Sequence, residues 1–362
     1  MRYRTTTLLA RQAMPAIAGT FIIDIPITDI ISAFRFHLET LPDATLKLTH
    51  IADVISKIEI VDGSDVLMEL SAAQMEALHF YERGKLGNLL TQDMGAVNEE
   101  FYTAVYFGRY AFDNDLALDP GRFNNPQLRI TYNGATFNAG VAAGGIFLSV
   151  FADIFDEFRP SPIGFLQHRE FYRYPTQALG FTYINLPTDL VLRKLFVQGH
   201  QYTQAPTQCI GAIRIDEDNM KRIPVELLYE DWLAWCRQEY GPAEHGIAAN
   251  REGGLFPLYH AISQWPIPLY HEIGAVPLLN TIGMNGCQLT LTNNAGDDTT
   301  YVGRIVGHAP HFTLCYPFGD QKDLADWYET EKIGTLRLRI LNGPNPIAGG
   351  TNRVILQQLR RY

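Results

Sequence analysis

The residues in this chain that could do chemistry are scattered, and each grouping lacks a partner that its chemistry would require. His271-Glu272 begins like the helical H-E-x-x-H zinc motif, but the second histidine position is Ala275. His308-Ala-Pro-His311 sets two imidazoles three residues apart across a proline, which spoils a helical pair of ligands. Asp297-Asp298 beside Asn293 and Asn294 offers the oxygens that calcium prefers, and reads equally as a polar hairpin tip. Asp153, Asp156 and Glu157 follow an apolar run. Paired carboxylates serve glycosidases, whereas acids at a strand end usually serve solubility. Cys209, Cys236, Cys287 and Cys315 are far apart with no C-x-x-C, which suits neither a disulfide framework nor a zinc site. They read as ordinary thiols in a reducing setting. The chain has no G-x-x-x-x-G-K-[S/T], G-x-G-x-x-G or G-x-S-x-G. The expectation is a non-enzymatic protein with no catalytic residues, no cofactor and no metal.

Composition narrows what the scaffold can be. The 362 residues are 46% hydrophobic and 19% charged, with 20 Phe, 18 Tyr and 4 Trp. Soluble domains carry about 25% charged residues, so the chain is charge-poor, and its aromatic content excludes disorder. The length fits two domains. Val141 to Phe151, the most apolar stretch, is shorter than the roughly 20 residues of a spanning helix. The net charge of −10 argues against coating nucleic acid with the whole surface. The ends differ from the middle: residues 1–23 hold Arg2, Arg4 and Arg11 and residues 351–362 hold Arg353, Arg360 and Arg361, neither with an acid. Such tails can meet phosphates of lipid or genome, or can simply be solvated.

Three patterns occur twice in the same order. Ile25-Pro-Ile-Thr-Asp-Ile-Ile31 is echoed by Leu186-Pro-Thr-Asp-Leu-Val191. Ile55, Ile58, Ile60 and Asp62 return as Ile210, Ile213, Ile215 and Glu217, and Val66, Met68 and Leu70 as Ile223, Val225 and Leu227. Phe107-Gly108 leading to Leu128-Arg-Ile130 returns as Phe318-Gly319 leading to Leu338-Arg-Ile340. This order implies a duplicated module. Period-two alternation in Phe34-Arg-Phe36, Ile58-Glu-Ile60, Leu289-Thr-Leu291 and Leu336-Arg-Leu-Arg-Ile340 makes the modules β-rich. Val61-Asp-Gly-Ser and the Asn293 segment are expected to be hairpin turns. Each module also predicts one helix. The first starts at the capping box Ser71-Ala-Ala-Gln74, and the second presents Leu228, Trp232, Trp235 and Cys236 on one face. The second copy is longer, with an insertion at about 242–310 that belongs on the surface.

Ile58-Glu-Ile-Val-Asp-Gly63, Tyr106-Phe-Gly-Arg109, Asp115 to Asp119, Phe123 to Ile130 and Val354 to Tyr362 resemble the double jelly-roll major capsid proteins of tailless icosahedral prokaryotic viruses. The likeness covers most of residues 20–362, in the tectivirus, corticovirus and finnlakevirus style of the lineage that includes adenovirus hexon. It implies a mainly β fold of two tandem eight-stranded jelly rolls, each with a short helix insertion. The expected division is a basic N-terminal arm at 1–18, a first roll at 19–160, a linker at 161–175 and a second roll at 176–362. The insertion at 242–310 would be a tower or inter-subunit clamp. The resemblance further implies homotrimers, pseudo-hexagonal capsomers tiling an icosahedral shell, and assembly in the host cytoplasm. Penton, minor capsid or internal membrane components would be further partners, with no sequence-specific nucleic-acid recognition. Arg2, Arg4 and Arg11 would face lipid or genome inside the shell. The alternatives are a two-domain jelly-roll enzyme on glycans and a viral spike or receptor-binding protein.

Overall fold

The structure is a computed structural model and describes residues 2–41, 47–87, 90–92, 98–138, 144–273 and 286–362. The first module runs through β1 (Tyr3–Ala13), β2 (Ala18–Asp24), β3 (Ile31–Thr40), β4 (Ile55–Asp62) and β5 (Asp65–Leu70). Helix α1 (Ala72–Arg83) and the short β6 (Leu90–Gln92) follow, then β7 (Glu99–Tyr106), β8 (Pro126–Asn133), the single turn α2 (Gly134–Phe137) and β9 (Ile146–Phe155). The second module opens with β10 (Gly164–Pro175), β11 (Phe181–Leu186), β12 (Val191–His200), β13 (Ile210–Glu217) and β14 (Arg222–Leu228). It continues through helix α3 (Tyr229–Tyr240), β15 (Ala243–Tyr259), β16 (Ile262–Ile273) and β17 (Gln288–Pro310). It ends with β18 (Thr313–Pro317), β19 (Leu336–Asn342) and β20 (Thr351–Arg361).

Strand order shows the duplication directly. In the first module one sheet is β1-β9-β3-β7 and the facing set is β2-β8-β4-β5; in the second they are β10-β20-β12-β18 and β11-β19-β13-β14. Each module is therefore the same eight-stranded jelly roll, its helix inserted after the fifth strand. Even the cross-strand pairs recur. Ile58 faces Ile130 and Ile60 faces Leu128, as Ile213 faces Ile340 and Ile215 faces Leu338. All eight side chains are buried, which is why this pattern survives in both copies.

The same equivalence corrects two expectations. β1 is the counterpart of β10, so the segments read as a basic arm (1–18) and as a linker (161–175) are each the opening strand of a roll. The proline-rich connection between the rolls is confined to the irregular residues 156–163. A third correction concerns the Asn293 segment. Residues 293–298 lie within β17, where Gly254 faces Asn293 and Glu252 faces Asp298, so the turn-forming residues form an irregular bulge of several residues in place of a hairpin turn.

The rolls share a seam. β5 meets β10 in parallel at Glu69–Arg169, fusing one sheet from each roll into an eight-stranded sheet. The insertion forms its own sheet, β16-β17-β15-β6, with β6 contributed by the first roll. Its buried residues Ile247, Leu258, Ile262, Leu289 and Ile305 join the hydrophobic core of the first roll. The base of the insertion thus clamps the two rolls of one chain together.

The capping box is formed: Ser71 Oγ accepts from the Gln74 N–H (3.2 Å) and Gln74 Oε1 accepts from the Ser71 N–H (2.8 Å). Ser71→Ala is expected to cost about 1 kcal/mol, read as a thermal midpoint lower by about 1–2 °C for a single transition of the whole chain. In α3 the buried face is Tyr229, Trp232, Leu233 and Cys236. Leu228 is the N-cap, and Trp235 lies at the rim. No helix among the described residues is long and apolar enough to cross a membrane.

Candidate functional site

The acids and bases singled out in the sequence are drawn into separate ion pairs. Asp153, 5% exposed at its side chain, takes Arg35 (2.7 Å) and the Thr5 hydroxyl (2.7 Å). Asp156 takes Arg4 (2.8 Å), whose guanidinium also reaches Asp29 (3.2 Å). Arg11 pairs with Glu39 (2.9 Å) and lies over the Phe147 ring. The backbone of Arg2 accepts from the Asp156 N–H (2.9 Å). At the other end Arg360 pairs with Asp65, and Arg353 donates to Gln198 Oε1 (3.2 Å). Much of the basic charge at both ends is spent within the chain.

His308 and His311 diverge. His308 is half-buried against Trp265, while His311 lies buried in the turn before β18. The side chains of His271, Glu272, Asp297 and Asp298 lie outside the described residues. The four cysteines are buried free thiols. Burial raises Cys209 to about 11 and Cys315 to about 12, so neither is a ready nucleophile.

Two buried clusters at the junction of the rolls escaped sequence reasoning, because each gathers residues from segments far apart in the chain. In the first, Glu82 of α1 accepts from Arg193 (2.8 Å) and Lys194 (2.9 Å) of β12 and from Gln357 (3.0 Å) of β20. Burial would raise the Glu82 carboxyl, but the two cations more than offset it and bring it down to about 2. In the second, His311 Nε2 lies 2.6 Å from Glu76 Oε2, with the His50 ring 5.1 Å from that of His311.

Among the described residues, His50, Glu76 and His311 each bring one potential ligand atom within 4.8 Å of the others. Their hydrogen bonding does not fit a metal. Nδ1 of His50 accepts from the Ala52 N–H (3.2 Å), which places that ring's proton on Nε2 and leaves no lone pair to donate. His311 Nε2 is engaged by Glu76. A second group, His37, Glu39 and Glu100, lies where Glu39 already binds Arg11 and His37 stacks on Tyr102.

The insertion exposes apolar side chains along one edge. On the edge strand β16, Ile267 and Leu269 are 57% and 47% exposed, next to Trp265 at 50%. Pro266 and Pro268 lack an N–H to donate, which opposes addition of a further strand to that edge.

No family model matches the chain, and no curated protein matches it. Solved structures do. The Sulfolobus turreted icosahedral virus major capsid protein is similar over 99% of this chain and 96% of its own, with TM-score 0.59 at 10% identity. Major capsid protein P2 of bacteriophage PM2 aligns over 99% and 98%, with TM-score 0.57 at 10% identity. The PBCV-1 virus capsid protein aligns over 99% and 93%, with TM-score 0.58 at 8% identity. N-glycanase F also aligns, at TM-score 0.31, too low to carry an argument. The chain has the fold of the double jelly-roll viral major capsid proteins. Within that fold it resembles coat proteins of several virus groups along nearly its whole length.

Proposed function

We propose that this chain is a structural coat protein, a major capsid protein whose trimers present six rolls as a pseudo-hexagonal capsomer of an icosahedral shell. The observation that carries the reading is the fold likeness, which spans both rolls and nearly all of each viral protein compared. The repeated roll supports it, since three copies of a two-roll chain supply six similar units. Low charge and the exposed apolar edge of the insertion fit a protein that meets copies of itself. The partners on this reading are other copies of the chain, then neighbouring capsomers. Contact of Arg2, Arg4 and Arg11 with lipid or genome belongs to the same proposal, and the ion pairs of Arg4 and Arg11 reduce the charge they can offer.

Light scattering coupled to size exclusion should give three times the chain's 40.8 kDa, with hexagonal outlines in negative stain. A monomer that persists at high concentration would remove the reading. Ile267→Glu with Leu269→Glu should leave the thermal transition of the monomeric fold in place. It should raise the concentration needed for trimers at least about tenfold, because a buried anchor residue is commonly worth more than 1 kcal/mol. Sedimentation velocity across a dilution series measures that shift.

A further inference from the structure

The insertion, the first roll and the turn before β18 meet on four histidines, all buried: His50, His245, His260 and His311. Three of these rings cap backbone. Nδ1 of His50 accepts from the Ala52 N–H (3.2 Å), Nδ1 of His260 from Ile262 (3.2 Å) and Nδ1 of His245 from Ala261 (3.1 Å). A backbone N–H can only donate, so each ring is held neutral with its proton on Nε2. A second proton has to go to Nδ1, where it turns the acceptor into a donor facing a donor. Charging any of the three rings therefore breaks the bond it makes. The rings are also close, His50 lying 5.5 Å from His245 and 5.1 Å from His311.

Little counter-charge stands ready. From α1 comes Glu76, already taken by His311 Nε2 (2.6 Å) and by the Gly87 N–H (3.2 Å). From the turn after His50 comes Asp53, which accepts from the Tyr202 hydroxyl. β20 contributes a cation, Arg353, and β12 contributes the half-buried His200. Cys287, at the approach to β17, is a buried thiol held protonated by desolvation. Three added protons would thus face one engaged carboxylate of the cluster and one hydrogen-bonded one.

We propose that this cluster is an acid-operated latch: proton uptake at Nδ1 of His50, His245 and His260 breaks the local cap each ring makes within its own segment and sets the charged His50 of the first roll against the charged His245 of the insertion 5.5 Å away, which drives the base of the insertion off the first roll. The latch does not depend on the coat-protein reading, and its test uses neither trimers nor shells.

Burial, with smaller contributions from the neighbouring histidines, holds His50 well below its ordinary value. Burial brings His245 to about 4, with Glu76 opposing, and His260 to about 3. The opened state, with imidazoles near the ordinary 6.5, binds more protons than the closed state between these limits. The closed state is favoured fully above about pH 6.5 and loses that preference as the pH falls toward 4. With three protons taken up, the opening equilibrium should steepen to about a thousandfold per pH unit.

Hydrogen–deuterium exchange on the full chain from pH 7.5 to 4.5, corrected for intrinsic rates, tests this. Peptides covering 50–54 and 243–262 should lose protection below pH 6, while α3 and β13 in the second roll remain protected. His50→Asn with His260→Asn keeps an oxygen that can accept the N–H two residues on, as Asn does in turns, but takes up no proton. The double variant should open at least about one pH unit lower. Opening at the same pH as the parent chain, or uniform loss of protection across both rolls, overturns the proposal. Should the variant fail to fold, C2–H exchange of the histidines in the parent chain, followed by mass spectrometry, decides. Midpoints of His245 and His260 that coincide with the loss of protection support the latch; midpoints near 6.5, or titration with no accompanying loss of protection, refute it.

Discussion

Replacing Glu82 with alanine should destabilise the chain by roughly 3–5 kcal/mol, the range seen when one member of a buried ion pair is removed. The carboxylate is the counter-ion for Arg193 and Lys194, each 2% exposed. Without it Arg193 keeps the Gln357 side-chain oxygen (2.9 Å) and Lys194 keeps the Tyr81 carbonyl (3.1 Å), neutral acceptors for two buried cations. Because Glu82 belongs to the first roll and its partners to the second, the loss should appear as uncoupling of the rolls. Two thermal transitions in place of one would be the calorimetric signature. The pH dependence has its own sign. The folded carboxyl titrates near 2 against an ordinary 4.5, so its contribution is complete above about pH 4.5 and lost as the pH falls toward 2. This window lies below that of the histidine latch, so an acid titration should resolve two steps. Glu82→Gln should abolish the lower step and leave the upper one; a lower step that persists unchanged in that variant would contradict the assignment.

Gly319→Ala should cost about 3 kcal/mol or more. The backbone there is left-handed, with φ of 65°, and a Cβ would sit 2.0 Å from the Asp326 carbonyl oxygen. A left-handed non-glycine residue and an overpacked contact each cost about 1–3 kcal/mol. The counterpart Gly108 also lies under a returning loop, its would-be Cβ 2.5 Å from the Leu116 carbonyl oxygen, but its φ is not positive. Gly108→Ala should therefore be the milder of the two. Urea midpoints of both variants measure this, and equal midpoints would show that the left-handed φ carries no cost. The repeated Phe-Gly pair thus has a physical reason in each roll: the phenylalanine enters the core, and the glycine lets the next loop cross the sheet end.

What was legible in the sequence is what both rolls need for the same reason. Ile58, Ile60, Leu128 and Ile130 alternate because one face of their strands is buried, and their counterparts repeat that constraint. The capping box of α1 was legible because its four residues are contiguous. The opening strands were not. β1 is an edge strand with irregular exposure, so Tyr3 to Ala13 lacks clean alternation. β10 buries Gln167 and His168, whose polarity disguises an interior strand as a connection. At Asn293 the turn-forming residues mark a bulge within β17, and in α3 the buried stripe begins at Tyr229 instead of Leu228. The histidine cluster has no local signature at all. Its members come from positions 50, 245, 260 and 311 and meet only once the insertion has folded back onto the first roll.

The place of β20 bears on how such a chain is made. It lies between β10 and β12, pairing Gly164 with Arg361 on one side and Val191 with Leu359 on the other. Those two strands must wait during synthesis for everything from β13 to β19 before their shared neighbour exists. The first roll has no such delay, since β9 reaches β1 and β3 before any of the second roll is translated. A ribosome that stalls within the second half therefore releases a closed first roll joined to an open sheet with bare edges. That product carries the unpaired strand edges on which chains aggregate, a hazard that ends only when β20 is made.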